Sequence, residues 1–213
     1  MTELRRFALF DAAASGDVAT IERFFRQPSM QPAIERVNQR FRNAFDYYVE
    51  RNDSPFLTRP SPPREEWHIR IHPQGLWELE LLFVKPAKHG HVRVFAWFCS
   101  DVATEIIGDS MRYLLYMLYS CAAQFAPNCA EITEAILLSH LFASFNDVVR
   151  SLALSMMLGS AIKNKRANAI RVLVAHGALV EEQDVSEFMR ASLDMETIQA
   201  LEDGGVAFKL RPY

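Results

Sequence analysis

The sequence predicts an α+β protein that is mostly helical, with paired short helices at both ends flanking a three-stranded antiparallel sheet and long helices. Three observations carry this expectation. A short helix–turn–helix pattern stands near each end, at residues 4–27 and 160–177. Three runs between Trp67 and Cys99 alternate apolar and polar residues, the period of a half-buried strand. From Asp101 onward, apolar residues recur at steps of three and four, the period of a helix with one buried face.

Bulk composition sets the frame. The chain has 213 residues, half of them hydrophobic and 11% aromatic, which excludes wholesale disorder and supplies a sizeable core. A formal charge of −3 argues against a dedicated DNA or RNA binder, which relies on a strongly basic face. Cys99, Cys121 and Cys129 form no CxxC pair and sit among apolar residues, so packed thiols in a reducing compartment are expected. Met1 to Phe7 lacks the apolar core of a secretory signal, and the most apolar run, Tyr113 to Ala126, is shorter than the ~20 residues of a membrane span. The expected location is cytoplasmic, or a host cytosol if the protein is delivered there.

Taken in order, Leu4, Phe7, Ala8 and Ala12 line one helical face. Ser15-Gly16 breaks it, and Asp17 is placed to cap a second helix to about Phe25 that buries Val18, Ile21, Phe24 and Phe25. A helix over 32–51 follows, with Ile34, Val37, Phe41, Phe45 and Tyr48 as its stripe. Four prolines make 52–63 a loop, exposed and so a candidate contact, although Pro55-Phe56-Leu57, Trp67 and Trp77 read first as packing residues. The three expected strands are Trp67–His72, Leu76–Val84 and His91–Cys99, with Pro86–Gly90 as a turn. Asp101 is expected to cap one helix through Phe125, where Tyr113, Tyr116 and Tyr119 are packing residues. Further helices are expected over 130–143, with His140 as a core histidine, and from Asn146-Asp147 to Leu158.

The closing stretch gives the sharpest local pattern. Ala161 opens a short helix, Asn164-Lys165-Arg166 is a polar turn, Ile170, Val172, Leu173 and Val174 line a second helix, and Gly177 ends it. Ala12 to Ile21 aligns without gaps on Ala161 to Ile170, and both are followed by two apolar residues, Phe24-Phe25 and Leu173-Val174. Asp184-Val185-Ser186-Glu187 is a capping box, and Asp194 caps a last helix with Ile198 and Leu201 inward.

These helix pairs resemble ankyrin repeats. The resemblance implies ankyrin-like units at 1–28 and 146–213 around an inserted segment at 29–145; one continuous core is expected, because the inserted sheet needs helices to cover its apolar face. It implies a non-catalytic protein–protein interaction module whose partner-binding residues sit on the turns: Asn164, Lys165, Arg166 and Asn168, with Ser15 and Asp17 at the other end. The partner is expected to be another protein, in the setting of a bacterial effector or of an inhibitor or immunity protein. No cofactor is expected.

The alternative is a small enzyme or an anion- or metal-binding protein. On simple strand pairing, His68, Arg70 and His72 share a sheet face with Glu78, Glu80, His91 and Arg93. Cross-strand ion pairing on a solvated face accounts for these residues; gripping an anion or a metal are the sharper options. No Gly-x-Ser-x-Gly elbow or Gly-rich phosphate loop occurs. Cys99 and His91 stand eight residues apart, or ~26 Å along a strand, which rejects them as a catalytic pair.

Overall fold

The computed structural model describes residues 3–32, 34, 35, 39, 76–108, 111–179 and 193–205. Among these residues every regular element is a helix: α1 (Glu3–Ser15), α2 (Val18–Phe25), α3 (Leu76–Lys88), α4 (Val92–Phe98), α5 (Asp101–Ile107), α6 (Met111–Phe125), α7 (Cys129–Leu137), α8 (His140–Ala143), α9 (Asp147–Lys163), α10 (Ala167–Ala175) and α11 (Met195–Asp203).

The helices form a two-layer stack. In one layer α1 packs on α3, α3 on α6 and α6 on α9. In the other, α2 packs on α4, α4 on α7, α7 on α10 and α10 on α11. Each helix of the first layer turns directly into one of the second, giving the pairs α1–α2, α3–α4, α6–α7 and α9–α10. The short helices α5 and α8 are connectors between pairs and touch each other. Between the layers lies a continuous core that includes Ile21, Phe83, Phe98, Leu118, Ile132, Ile136, Ile170 and Leu201. Each such side chain contributes roughly 1.5–3 kcal/mol when buried.

The expected second and third strands are helices. Leu82, Phe83, Pro86 and Ala87 are buried, a set at i, i+1, i+4 and i+5 that only a helix brings to one side. Val94, Phe95, Trp97 and Phe98, at i, i+1, i+3 and i+4, likewise fall on one side of α4. The runs also alternate, and their β-branched and aromatic content favours a strand in isolation. Packing on α1, α6 and α7 decides otherwise. Pro86 stands two residues before the end of α3, so its missing N–H removes a bond only from the last turn. The expected strand Trp67–His72, the loop 52–63, the helix beyond residue 39 and the capping box at 184–187 lie outside the described residues.

Four helix boundaries also differ from expectation. Ser100, not Asp101, caps α5 by accepting the Ala103 N–H at 3.3 Å. Gly108, at φ 84° and ψ −167°, then ends α5 in a region that essentially only glycine adopts, so the expected helix from Asp101 to Phe125 is two. The expected helix over 130–143 is likewise interrupted after Leu137, where Ser139 caps α8 through the Phe142 N–H at 3.2 Å. Ala161 does not open a helix but lies in the last turn of α9, which runs unbroken from Asp147. Nothing in Ser151–Lys163 breaks a helix except Gly159, whose cost of about 1 kcal/mol buried Leu158, Ala161 and Ile162 offset.

The N-terminal pair forms as expected. Asp17 Oδ1 accepts the Thr20 N–H at 3.0 Å, and Ile21, Phe24 and Phe25 are buried. Phe25 joins this pair to the next through Trp97, at a ring-centroid distance of 5.8 Å, and through the edge of Phe98, at 6.0 Å. Trp97 Nε1 donates to Glu22 Oε2 at 3.3 Å, so the buried indole has its polar partner.

Candidate functional site

The turns inside three pairs are the same structure. In each, a residue one or two places after the first helix has positive φ: Gly16 at 74°, Gly90 at 66° and Lys165 at 55°. Its N–H bonds three residues back, to Ala13, Ala87 and Ile162, at 3.3, 3.0 and 3.0 Å. The next N–H, of Asp17, His91 and Arg166, bonds five residues back, to Ala12, Pro86 and Ala161, at 2.9 Å in all three. This is the Schellman closure, which satisfies two orphan carbonyls at a helix end. The aligned stretches Ala12–Ile21 and Ala161–Ile170 are therefore equivalent in geometry, and Pro86–Phe95 is a third copy. Gly177, at φ 88°, closes α10 with the same two bonds, to Val174 at 2.9 Å and, through Ala178, to Leu173 at 3.0 Å.

The residue that follows each turn is the N-cap of a second-layer helix: Asp17, His91, Asn128 and Arg166, with Asp194 before α11. Asn128 follows His91 by 37 positions, and Arg166 follows Asn128 by 38. Three of these side chains reach back to the preceding pair. His91 Nε2 donates to the Ala14 carbonyl at 2.8 Å, which places its proton on Nε2 because a carbonyl only accepts. Asn128 Nδ2 donates to the Gly90 carbonyl at 3.1 Å. Arg166 donates from Nε to the Ala123 carbonyl at 2.6 Å and from Nη2 to the Gln124 carbonyl at 3.1 Å. The four turns are thus stitched in order along one edge of the stack.

The six residues expected to bind a partner all belong to this edge, but most also serve the fold. Ser15 Oγ donates to the Ala12 carbonyl at 3.1 Å, and Asn164 Nδ2 to the Ser160 carbonyl at 2.8 Å. Arg166 is spent on α6. Hydrogen bonds from Thr20 hold Asp17 below the ordinary aspartate value of 3.8, and bonds from Thr197 do the same for Asp194. Lys165 is exposed. Asn168 is also exposed and accepts from Arg171 at 2.8 Å. The residues that sequence reasoning missed are His91 and Asn128 as stitches. The signal was present: Ala87, Gly90 and His91 occupy the places of Ala13, Gly16 and Asp17.

The expected polar sheet face is not formed among the described residues. Glu78 and Glu80 lie on α3, with side chains outside the described set, and His68, Arg70 and His72 lie outside it entirely. His91 faces the end of α1, while Arg93 is exposed on α4. Among the described residues no group of three His, Cys, Asp or Glu side chains could hold a metal ion. The expected core histidine, His140, is exposed; its Nδ1 stands 2.7 Å from Asp101 Oδ1, tying α8 to α5. Tyr119 is buried as expected, whereas Tyr116 is 45% exposed.

The thiols are chemically quiet. All three are buried, and burial pushes Cys99 up to about 12 and raises Cys129 as well. Burial also raises the Tyr119 phenol. Such groups stay protonated and are poor nucleophiles. An open cleft of roughly 390 Å³ between Arg26, Gln31, Glu105 and Ile106 brings no acid–base pair together, because Arg26 is held by Glu22 at 2.9 Å. Among the described residues no helix is long and apolar enough to cross a membrane. No family model, curated protein or solved structure matches the chain.

Proposed function

We propose that this protein is a non-catalytic recognition module that binds another protein along the edge of stacked turns. The observation that carries the reading is the stitching of successive turns by His91, Asn128 and Arg166. It holds the side chains beside them, Lys165 and Asn168 among them, on a pre-organised and repeated surface. A rigid surface loses little conformational freedom on binding, and affinity gains by that amount. The buried, protonated thiols of Cys99 and Cys129 support recognition over thiol-based catalysis.

The paired helices and their Schellman turns also support the ankyrin-like reading, with a spacing of 37 and 38 positions between the turns of the middle pairs that is longer than the ~33 usual for that repeat. Fold analogy is a weak warrant for function, so the weight rests on the edge itself. A cytosolic setting, as an effector or as an inhibitor of a partner enzyme, accords with the reduced thiols.

The test is position-dependent photo-crosslinking in the native cell. A photoreactive residue at Lys165 or Asn168 is expected to give a discrete adduct with one protein. The same residue at Ser151 or Ser155, exposed on α9, should give none. Adducts from α9 with none from the turns would place recognition elsewhere and sink this assignment.

A further inference from the structure

We infer that the middle of the turn edge takes an acidic segment of the partner protein, an assignment that rests on the recognition reading above. The charges along the edge are not evenly spread. Lys85 and Lys88 stand in the last turn of α3, and Lys163 in the last turn of α9. His89 and Lys165 are exposed beside them in the turns. The flanks are acidic: Asp17 lies at one end and Asp194 at the other. A chain of net charge −3 therefore presents a basic centre between negative ends. Such an arrangement attracts an anionic segment of limited length and repels one that overruns it.

Two features favour a role for these cations beyond capping helices, although Lys165 also acts on the Asp194 carboxylate that caps α11. Lysines near a helix C-terminus complement its dipole, yet α1 ends at the same edge with no basic residue in its last turn. Lys165 holds a left-handed conformation, φ 55°, where its counterparts Gly16 and Gly90 are glycines. A side chain there is disfavoured by roughly 1 kcal/mol, and strain of this kind persists where function uses the residue. Lys88 is held toward the next turn, its Nζ 5.3 Å from the centroid of the Phe125 ring. The cations thus stand at the second and fourth turns, where Arg166 grips the end of α6, and Lys88 reaches toward the third, beside which Glu131 stands in the first turn of α7. Nucleic acid fits less well, because Asp17, Glu131 and Asp194 interrupt the basic track that a phosphate backbone follows.

The probe is a fluorescein-labelled oligo-glutamate peptide, read by fluorescence anisotropy on the full chain, beside an oligonucleotide of matched charge. The peptide should bind at low salt and release as salt rises. Lys88→Gln with Lys165→Gln should weaken it about tenfold. Ser151→Glu with Ser155→Glu, which changes the net charge by the same amount on another surface, should not. Lys165→Gly keeps or improves the turn and should still weaken the peptide, separating charge from folding. The inference is overturned if the peptide does not bind, if both double variants weaken it equally, or if the oligonucleotide binds more tightly with the same sensitivity. Loss of peptide binding with the Asn168 crosslink intact would leave protein recognition standing and remove the acidic partner. Loss of both would remove both.

Discussion

Arg166 closes the last turn of α6 although it belongs to the start of α10: its Nε lies 2.6 Å from the Ala123 carbonyl and its Nη2 3.1 Å from that of Gln124. One guanidinium satisfies two orphan carbonyls and places a cation at the negative end of a helix. Lysine cannot copy this, because its ammonium is a point charge without the planar fork. Arg166→Lys and Arg166→Ala are both expected to destabilise by about 1.5–3 kcal/mol, the usual worth of hydrogen bonds to a charged group. Urea denaturation monitored by circular dichroism measures it. A change under about 0.5 kcal/mol in both variants would mean that water replaces the side chain without cost and that the stitch is ornamental.

The positive-φ positions should respond with opposite signs. A Cβ on Gly90 would stand 2.7 Å from Asn128 Oδ1, and one on Gly16 would stand 2.9 Å from His91 Nδ1. Gly90→Ala and Gly16→Ala combine this crowding with a disfavoured backbone and should each cost at least about 1 kcal/mol. Lys165→Gly relieves the same backbone, offset by the entropy of a more flexible unfolded chain. Its expected effect lies between neutral and about 1 kcal/mol of stabilisation. Melting temperatures of the three variants decide the point, and a clear loss in Lys165→Gly would contradict the equivalence of the turns.

Thiol chemistry offers an independent check on the core. Cys99, Cys121 and Cys129 are buried, and Cys99 is pushed up to about 12. At pH 8 the folded protein should react with Ellman's reagent only as slowly as it opens, and all three thiols should react at once in denaturant. Rapid reaction of one native thiol would show that it is more exposed and more acidic than this packing allows.

Acid should loosen the two ends of the edge. The capping carboxylates Asp17 and Asp194 are held below 3.8 by bonds from Thr20 and Thr197. A depressed folded value means that their stabilisation is complete above about pH 4 and is lost as the pH falls through the lower, folded value. Asn keeps a capping oxygen but does not titrate. The wild type should therefore melt at a higher temperature than Asp17→Asn or Asp194→Asn near pH 6, and the gap should close toward pH 2. A gap that is constant with pH would show that charge plays no part in these caps.

The turns at both ends were legible because their signals are local: a small residue, a polar break and a capping side chain within ten positions. The identical pattern at Pro86–Phe95 was hidden by its surroundings. Leu76–Val84 and Val92–Phe98 satisfy alternation and helical spacing at once, and an apolar run of that length carries no periodicity that separates them. The position of Lys165 and Asn168 was legible, since both were expected at the turn and both are exposed there. The roles of Arg166 and Asn164 were not, because each bonds a carbonyl whose position depends on how helices meet or end.

What the sequence determined by itself was the local grammar: caps at Asp17 and Asp194, closures at Gly16 and Gly177, and the burial of Ile21, Ile170 and Leu201. Short-range hydrogen bonds and periodic burial fix these without reference to the rest of the chain. Tertiary structure decided that α3 and α4 are helices, that the pairs stack in two layers, and that His91, Asn128 and Arg166 bind the turns into one edge. Those outcomes rest on contacts between residues 38 to 77 positions apart, and loop closure over such distances becomes favourable only when the whole core forms together.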